Sequence, residues 1–225
     1  ASGIESLARA ALPFGFATAG MAVGIIAGGI DLSVASMMAV CAVTTAVLME
    51  RMAGVPALII VLLAGAGMGA INGTLIILTK VPDIVVTLAM LFVWEGVALL
   101  ILSSPGGATA DWLEGAIRGS FIFSWLPKAF LIIAIVSALL WGPLQRTKLG
   151  LSIYAIGSDE LAAFRSGISI GRSKVAAYAI CGLFCAFGGL SLAALTGIGE
   201  PVPGPYLMAS IAAVVLGGVV LGGGK

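Results

Sequence analysis

The sequence contains no histidine. That absence removes a histidine-ligated metal site, a Ser-His-Asp triad and a histidine proton relay. Charge is nearly as scarce: Asp, Glu, Lys and Arg make up 9% of the 225 residues, against about 25% in soluble domains. A soluble enzyme is thereby excluded. With a formal net charge of +1, and the basic residues gathered mainly in one segment, the chain offers no field that would hold a nucleic acid. Cysteine is limited to Cys41, Cys181 and Cys185. Odd in number, without a CxxC spacing and set inside apolar runs, they read as small packing residues and not as disulfide partners or metal ligands. No stretch alternates with the period of a strand, which disfavours a β-barrel.

What is present is apolar. Hydrophobic residues make up 60% of the chain and the mean hydropathy is +1.20. Uncharged runs cover residues 11–30, 32–49, 52–79, 129–145, 175–199 and 201–224, and the run 84–103 holds the single charge Glu95. At about 20 residues per crossing of a bilayer, these predict an all-α polytopic bundle of about seven spans. The 32 glycines, in clusters such as Gly65, Gly67, Gly69 and Gly73, suit helices that pack closely where lipid supplies no hydrophobic drive for association.

Five of the eleven basic residues, Arg146, Lys148, Arg165, Arg172 and Lys174, fall in one segment, which the positive-inside rule places in the cytoplasm. Alternation then sets residues 80–83 inside and residues 50–54 and 104–127 outside. Arg9 lies outside in this scheme, which the rule permits for single charges without favouring it. The first apolar run lacks a basic lead and is followed at once by another span, so it does not read as a signal peptide. Both ends look cut, and residues 1–225 read as a single transmembrane domain incomplete at both ends, with a cytoplasmic loop at residues 145–174.

Ionisable groups inside apolar runs are the first candidates for function in a membrane protein, and here they are Asp31 and Glu95. Asp31 interrupts a long apolar stretch in Gly28-Gly29-Ile30-Asp31-Leu32-Ser33. One reading is a discontinuous helix beside a solute path, whose freed backbone is satisfied by protein or water. Another, compatible with it, is an interfacial bend in which Asp31 and Ser33 offer capping oxygens to the next helix. Glu95 follows Trp94 and Phe92 in an interface-like setting, which suits a structural partner more than a coupling role. Asn72, beside Gly73, suits a hydrogen bond between helices or contact with solute hydroxyls. Asp31, Ser33 and Asn72 are the translocation-path candidates.

Within the cytoplasmic loop, residues 157–167 carry the marks of a short helix. Ser158 is placed to cap it, Asp159 and Glu160 fall in its first turn, Arg165 in its last, and Gly167 supplies a left-handed stop. Leu161, Phe164 and Ile168 would form an apolar stripe outside the membrane if the helix continued to Ile168. Such a stripe asks for a partner or folds back on the membrane interface. Two motif matches fail. Residues 218–225 lack the second glycine of GxxxxGK, with Val219 in its place, and no Ser or Thr follows; Gly65-Ala66-Gly67-Met68-Gly69 has no preceding strand.

Three stretches together resemble the membrane subunits of sugar-importing ABC transporters of the ribose, arabinose and xylose type. Gly28-Gly29-Ile30-Asp31-Leu32-Ser33-Val34 is similar to that family's GGIDLSVG motif, with Ala35 in place of the final glycine. Arg146-Thr147-Lys148-Leu149-Gly150, Tyr154-Ala155-Ile156-Gly157, then Glu160, Ala162, Ala163 and Ser166-Gly167-Ile168 resemble its cytoplasmic loop through the coupling helix, although Leu161 separates Glu160 from the alanine pair. Ile211-Ala212-Ala213-Val214-Val215-Leu216-Gly217-Gly218 and Gly222-Gly223-Gly224-Lys225 resemble its late IAAVVLGG and GGGK segments.

The resemblance implies a non-catalytic permease of the bacterial cytoplasmic membrane that binds no cofactor. It implies a second permease subunit, identical or different, a cytoplasmic ABC ATP-binding subunit and a periplasmic sugar-binding protein, with membrane lipid around the bundle and no nucleic acid. Asp159, Glu160, Leu161, Ala162, Ala163, Phe164, Arg165 and Gly167 would dock into the ATPase, and selectivity would rest largely with the binding protein. An ion-coupled secondary transporter using Asp31 and Glu95 is the competing expectation. An intramembrane hydrolase would need a nucleophile beside a base or metal, which scattered acids without histidine do not supply.

Overall fold

The computed structural model describes residues 2–52, 54–119, 127–202, 204–220 and 222–224. They form ten helices in chain order: α1 (Ser2–Ile26), α2 (Val34–Arg51), α3 (Gly54–Thr79), α4 (Asp83–Ile101), α5 (Asp111–Ile117), α6 (Lys128–Arg146), α7 (Lys148–Ser158), α8 (Glu160–Arg165), α9 (Ile170–Thr196) and α10 (Tyr206–Leu216). Among the described residues, α1, α2, α3, α4, α6 and α9 are long and apolar enough to cross a membrane. Proline, which has no N–H to donate, stands just before α4, α6 and α10 as Pro82, Pro127 and Pro205. Helix α9 stops at Gly197, whose φ of 78° is the left-handed conformation of a glycine cap.

Helix α9 is the central element and packs against α1, α2 and α3. The α3–α9 contact is backbone against backbone. A Cβ on Gly65 would lie 2.5 Å from the Gly182 carbonyl oxygen, one on Gly73 would lie 2.8 Å from the Val175 Cα, and one on Gly69 would overlap the Tyr178 carbonyl. Glycine every fourth residue therefore sets this approach, which is how helices associate where the surroundings are as apolar as the side chains. Gly67, grouped with them in the sequence, takes no part: space around it is open. All three cysteines are free and buried. They pack in the core with Met37, Met38 and Tyr178, as their apolar settings predicted.

The seventh predicted span is only partly helical. Helix α10 covers 11 residues, and Gly217 follows it as a cap. The chain then runs on with positive φ at Gly218, Gly223 and Gly224. Hydropathy alone cannot see this break, because glycine scores as neither polar nor charged while its backbone leaves the helix readily. Lys225 lies outside the described residues.

Contacts sort the helix ends into two groups. At one end, Gly106 and Gly199 exchange backbone hydrogen bonds of 3.1 and 2.8 Å, and the Gly119 N–H donates to Glu5 Oε1 at 2.7 Å. Arg9 reaches Glu114 at 3.9 Å, and Glu114 also pairs with Arg118. Arg9 thus stands at the end that charge alternation assigned to the outside, beside an acid that offsets it. At the opposite end the α1–α2 break, the α3–α4 turn, α7, α8 and the start of α9 come together. Of the predicted outer loop, residues 120–126 lie outside the described residues.

Candidate functional site

The α1–α2 break is built by its two glycines and its acid. Gly28 has φ 85°, and its N–H donates to the Ile25 carbonyl at 2.9 Å, while Gly29 donates to Gly24 at 3.0 Å, so α1 closes on itself. Asp31 then accepts from the Ser33 N–H at 2.9 Å and from the Ser33 hydroxyl at 2.6 Å. Ser33 is the residue before α2, yet its side chain does not cap that helix, because the hydroxyl is turned back to Asp31. A bend is therefore present, but its capping oxygens serve the bend and not the first turn of α2.

From Ser33 the hydrogen bonding continues through the bundle. The Asn72 side-chain amide of α3 donates to Ser33 Oγ at 2.7 Å, and the Trp94 indole of α4 donates to Asn72 Oδ1 at 3.1 Å. Asp31, Ser33 and Asn72 are fully buried. The three path candidates thus belong to one network, and it binds α2, α3 and α4 together. Each donor meets an acceptor, as a polar group withdrawn from water requires. Glu95 stands apart from it: half-buried on α4, it has no hydrogen-bond or ion-pair partner among the described residues, so the structural partner foreseen for it is not found there.

A second polar cluster was not read from the sequence. Asp83 opens α4. Its carboxylate receives Lys174 Nζ at 2.9 Å through Oδ1 and the Tyr178 hydroxyl at 2.8 Å through Oδ2, both from α9. The Asp83 and Lys174 side chains are each 12% exposed, so water competes weakly for the pair. Thr87, one turn further along α4, donates to the Ile30 carbonyl of the break at 3.0 Å. A carboxylate, a lysine and a tyrosine separated by 91 and 95 residues give no local pattern, and only the turn position of Asp83 after Pro82 hinted at its place.

The segment at residues 157–167 forms a helix, with two changes from the expected one. Its cap is Asp159, whose Oδ1 accepts from the Ala162 N–H at 2.9 Å. Ser158 still belongs to α7, where its hydroxyl donates to the Tyr154 carbonyl. The helix also ends at Arg165 and does not reach Ile168: the Gly167 N–H closes on the Phe164 carbonyl, with φ 82° at Gly167, and Ile168 turns back toward the body of the protein. Leu161 is 59% exposed and Phe164 67%, while Ala163 is buried. The segment therefore anchors on its alanine and offers two large apolar side chains outward.

Comparison with known proteins places this architecture. Residues 3–224 match the family described as the branched-chain amino acid transport system / permease component, and the chain belongs to that family. It is similar to the ribose import permease protein RbsC of Escherichia coli K12, with 32% identity over 216 residues, 92% of this chain and 66% of that protein. It is also similar to the autoinducer 2 import system permease protein LsrD of Escherichia coli strain HS, with 37% identity over 215 residues, 89% of this chain and 63% of that protein. The chain thus spans just under two thirds of the length of these relatives. No solved structure matches it.

Proposed function

We propose that this chain is the membrane-spanning permease subunit of an ATP-driven importer of the bacterial cytoplasmic membrane. It passes a monosaccharide or similar small polyol that a periplasmic binding protein delivers. The observation that carries this is α8: a capped helix at the end of the bundle, anchored by buried Ala163, with Leu161 and Phe164 exposed beside charged Glu160 and Arg165. Two large apolar side chains exposed side by side, one turn apart on one helix, suit a protein partner, and names given to both relatives are those of import permeases. The partner in this reading is an ABC ATP-binding subunit, and a second permease subunit, identical or related, completes the path.

In this reading hydrolysis resides in the ATP-binding subunit, and α8 with its flanks, residues 145–174, transmits the result. A permease responds only if the ATPase holds its inward and outward states with different affinity. Asp31, Ser33 and Asn72 hold α2, α3 and α4 in register beside the solute route. Asp31 Oδ1 takes both the N–H and the hydroxyl of Ser33, which ties this acid to the bend. Deleting residues 158–167 from the full-length protein should abolish co-purification with the ATPase. A complex that survives the deletion would overturn the reading.

A further inference from the structure

Both segments flanking α8 end on one small patch of the bundle. On the N-terminal side α7 closes against the break: a Cβ on Gly28 would sit 3.4 Å from the Gly157 Cα. On the C-terminal side the connection from α8 to α9 is only residues 166–169, and α9 within its first three turns presents Lys174 and Tyr178 to Asp83. Gly29 lies over this contact, since a Cβ there would overlap the Asp83 carboxylate and come within 2.5 Å of the Tyr178 hydroxyl. Thr87, one turn on from Asp83, then ties α4 to Ile30. A cleft of about 390 Å³ lined by Lys80, Asp83, Glu160 and Lys174 separates the first residue of α8 from the cluster.

We infer that Asp83, Lys174 and Tyr178, closed over by Gly29, form a transmission latch that carries displacement of α8 into α4 and the α1–α2 break. They act as positioning residues. The inference rests on the permease reading above and adds to it the residues through which the motion passes. A four-residue connection that turns at the left-handed Gly167 leaves little slack between α8 and α9. The charge-assisted contact, largely withdrawn from water, holds the second and third turns of α9 to the first residue of α4. The cleft gives α8 room to shift before any packed helix must part. Coupling of this kind needs a contact that both ends of the path bias, and Asp83, at the start of α4, meets both α9 and the break.

The test uses the full-length permease with its ATPase and binding protein in proteoliposomes, with ATP hydrolysis and sugar uptake measured in the same vesicles. Wild-type uptake must first depend on ATP; if it does not, the permease reading has failed and not the latch. Given that dependence, Asp83→Asn and Lys174→Met should keep ATPase binding and hydrolysis while the sugar taken up per ATP falls about tenfold. The exchange Asp83→Lys with Lys174→Asp should recover at least part of that loss. Tyr178→Phe, which removes only a hydroxyl and preserves packing, should lower the ratio about threefold. It carries the test if the charge variants do not fold. Unchanged uptake per ATP in Tyr178→Phe, or a parallel fall of hydrolysis and uptake in all variants, would overturn the latch.

Discussion

Asn72 and Ser33, 39 residues apart, meet inside the bundle, the Asn72 amide donating to the Ser33 hydroxyl at 2.7 Å. Because Ser33 donates onward to Asp31 and Asn72 accepts from Trp94, a single amide links three spanning helices to the break. Replacing it tests whether these residues brace the helices or touch the solute. Asn72→Leu leaves the Trp94 N–H without its acceptor, and the expected loss is about 1–3 kcal/mol. This is measured as a lowered thermal midpoint in detergent with uptake per folded molecule unchanged. A normal midpoint with altered uptake would place Asn72 on the solute route instead.

The two candidate caps of α8 are separated by a pair of alanine substitutions. Asp159→Ala removes the acceptor of the Ala162 N–H and should cost about 1 kcal/mol locally. Hydrogen exchange at residues 160–165 would quicken about fivefold, since 1.4 kcal/mol is tenfold. Ser158→Ala should leave that exchange unchanged, because its hydroxyl bonds within α7. The reverse order would restore Ser158 as the cap.

Phe164→Asp addresses the partner surface. With 67% of its surface exposed, this residue adds little to the fold, so the midpoint should move by less than about 0.5 kcal/mol equivalent. Binding to the ATP-binding subunit should weaken about tenfold or more, as for a central apolar anchor of an interface. Unaltered binding would show that Phe164 instead rests on the membrane surface.

Gly182→Val tests the central packing. A Cβ on Gly182 would lie 2.9 Å from the Gly69 nitrogen and overlap the Gly65 carbonyl, and backbone cannot rotate away as a side chain does. The variant should lose about 3 kcal/mol or more, the upper range for overpacking, and fail to give a monodisperse peak in detergent. Gly67→Ala, in open space, should behave as wild type.

How much of this was legible in the sequence follows from which signals are local. Six apolar runs became six long helices because length and hydropathy are properties of a continuous segment. The break at Gly28 and Gly29, the helix after Asp159 and the stop at Gly167 were legible for the same reason. Capping was misplaced by one residue, since α7 runs on through Ser158, and an acid one position later has equal capping ability. The shortness of α10 was hidden because its run stays apolar where the helix ends. The Asp83, Lys174 and Tyr178 cluster was invisible, as its members come from helices brought together only by the glycine contact between α3 and α9 and by packing of α4 on α2.

The central claim is that a separate ATPase drives this permease through α8. Uptake by proteoliposomes holding the full-length protein tests it most directly, with the ATP-binding subunit and the binding protein present or withheld, and with ATP or an ion gradient as the energy source. The account predicts uphill accumulation of sugar only when both partners and ATP are supplied. Accumulation driven by an ion gradient with no ATPase present would contradict it.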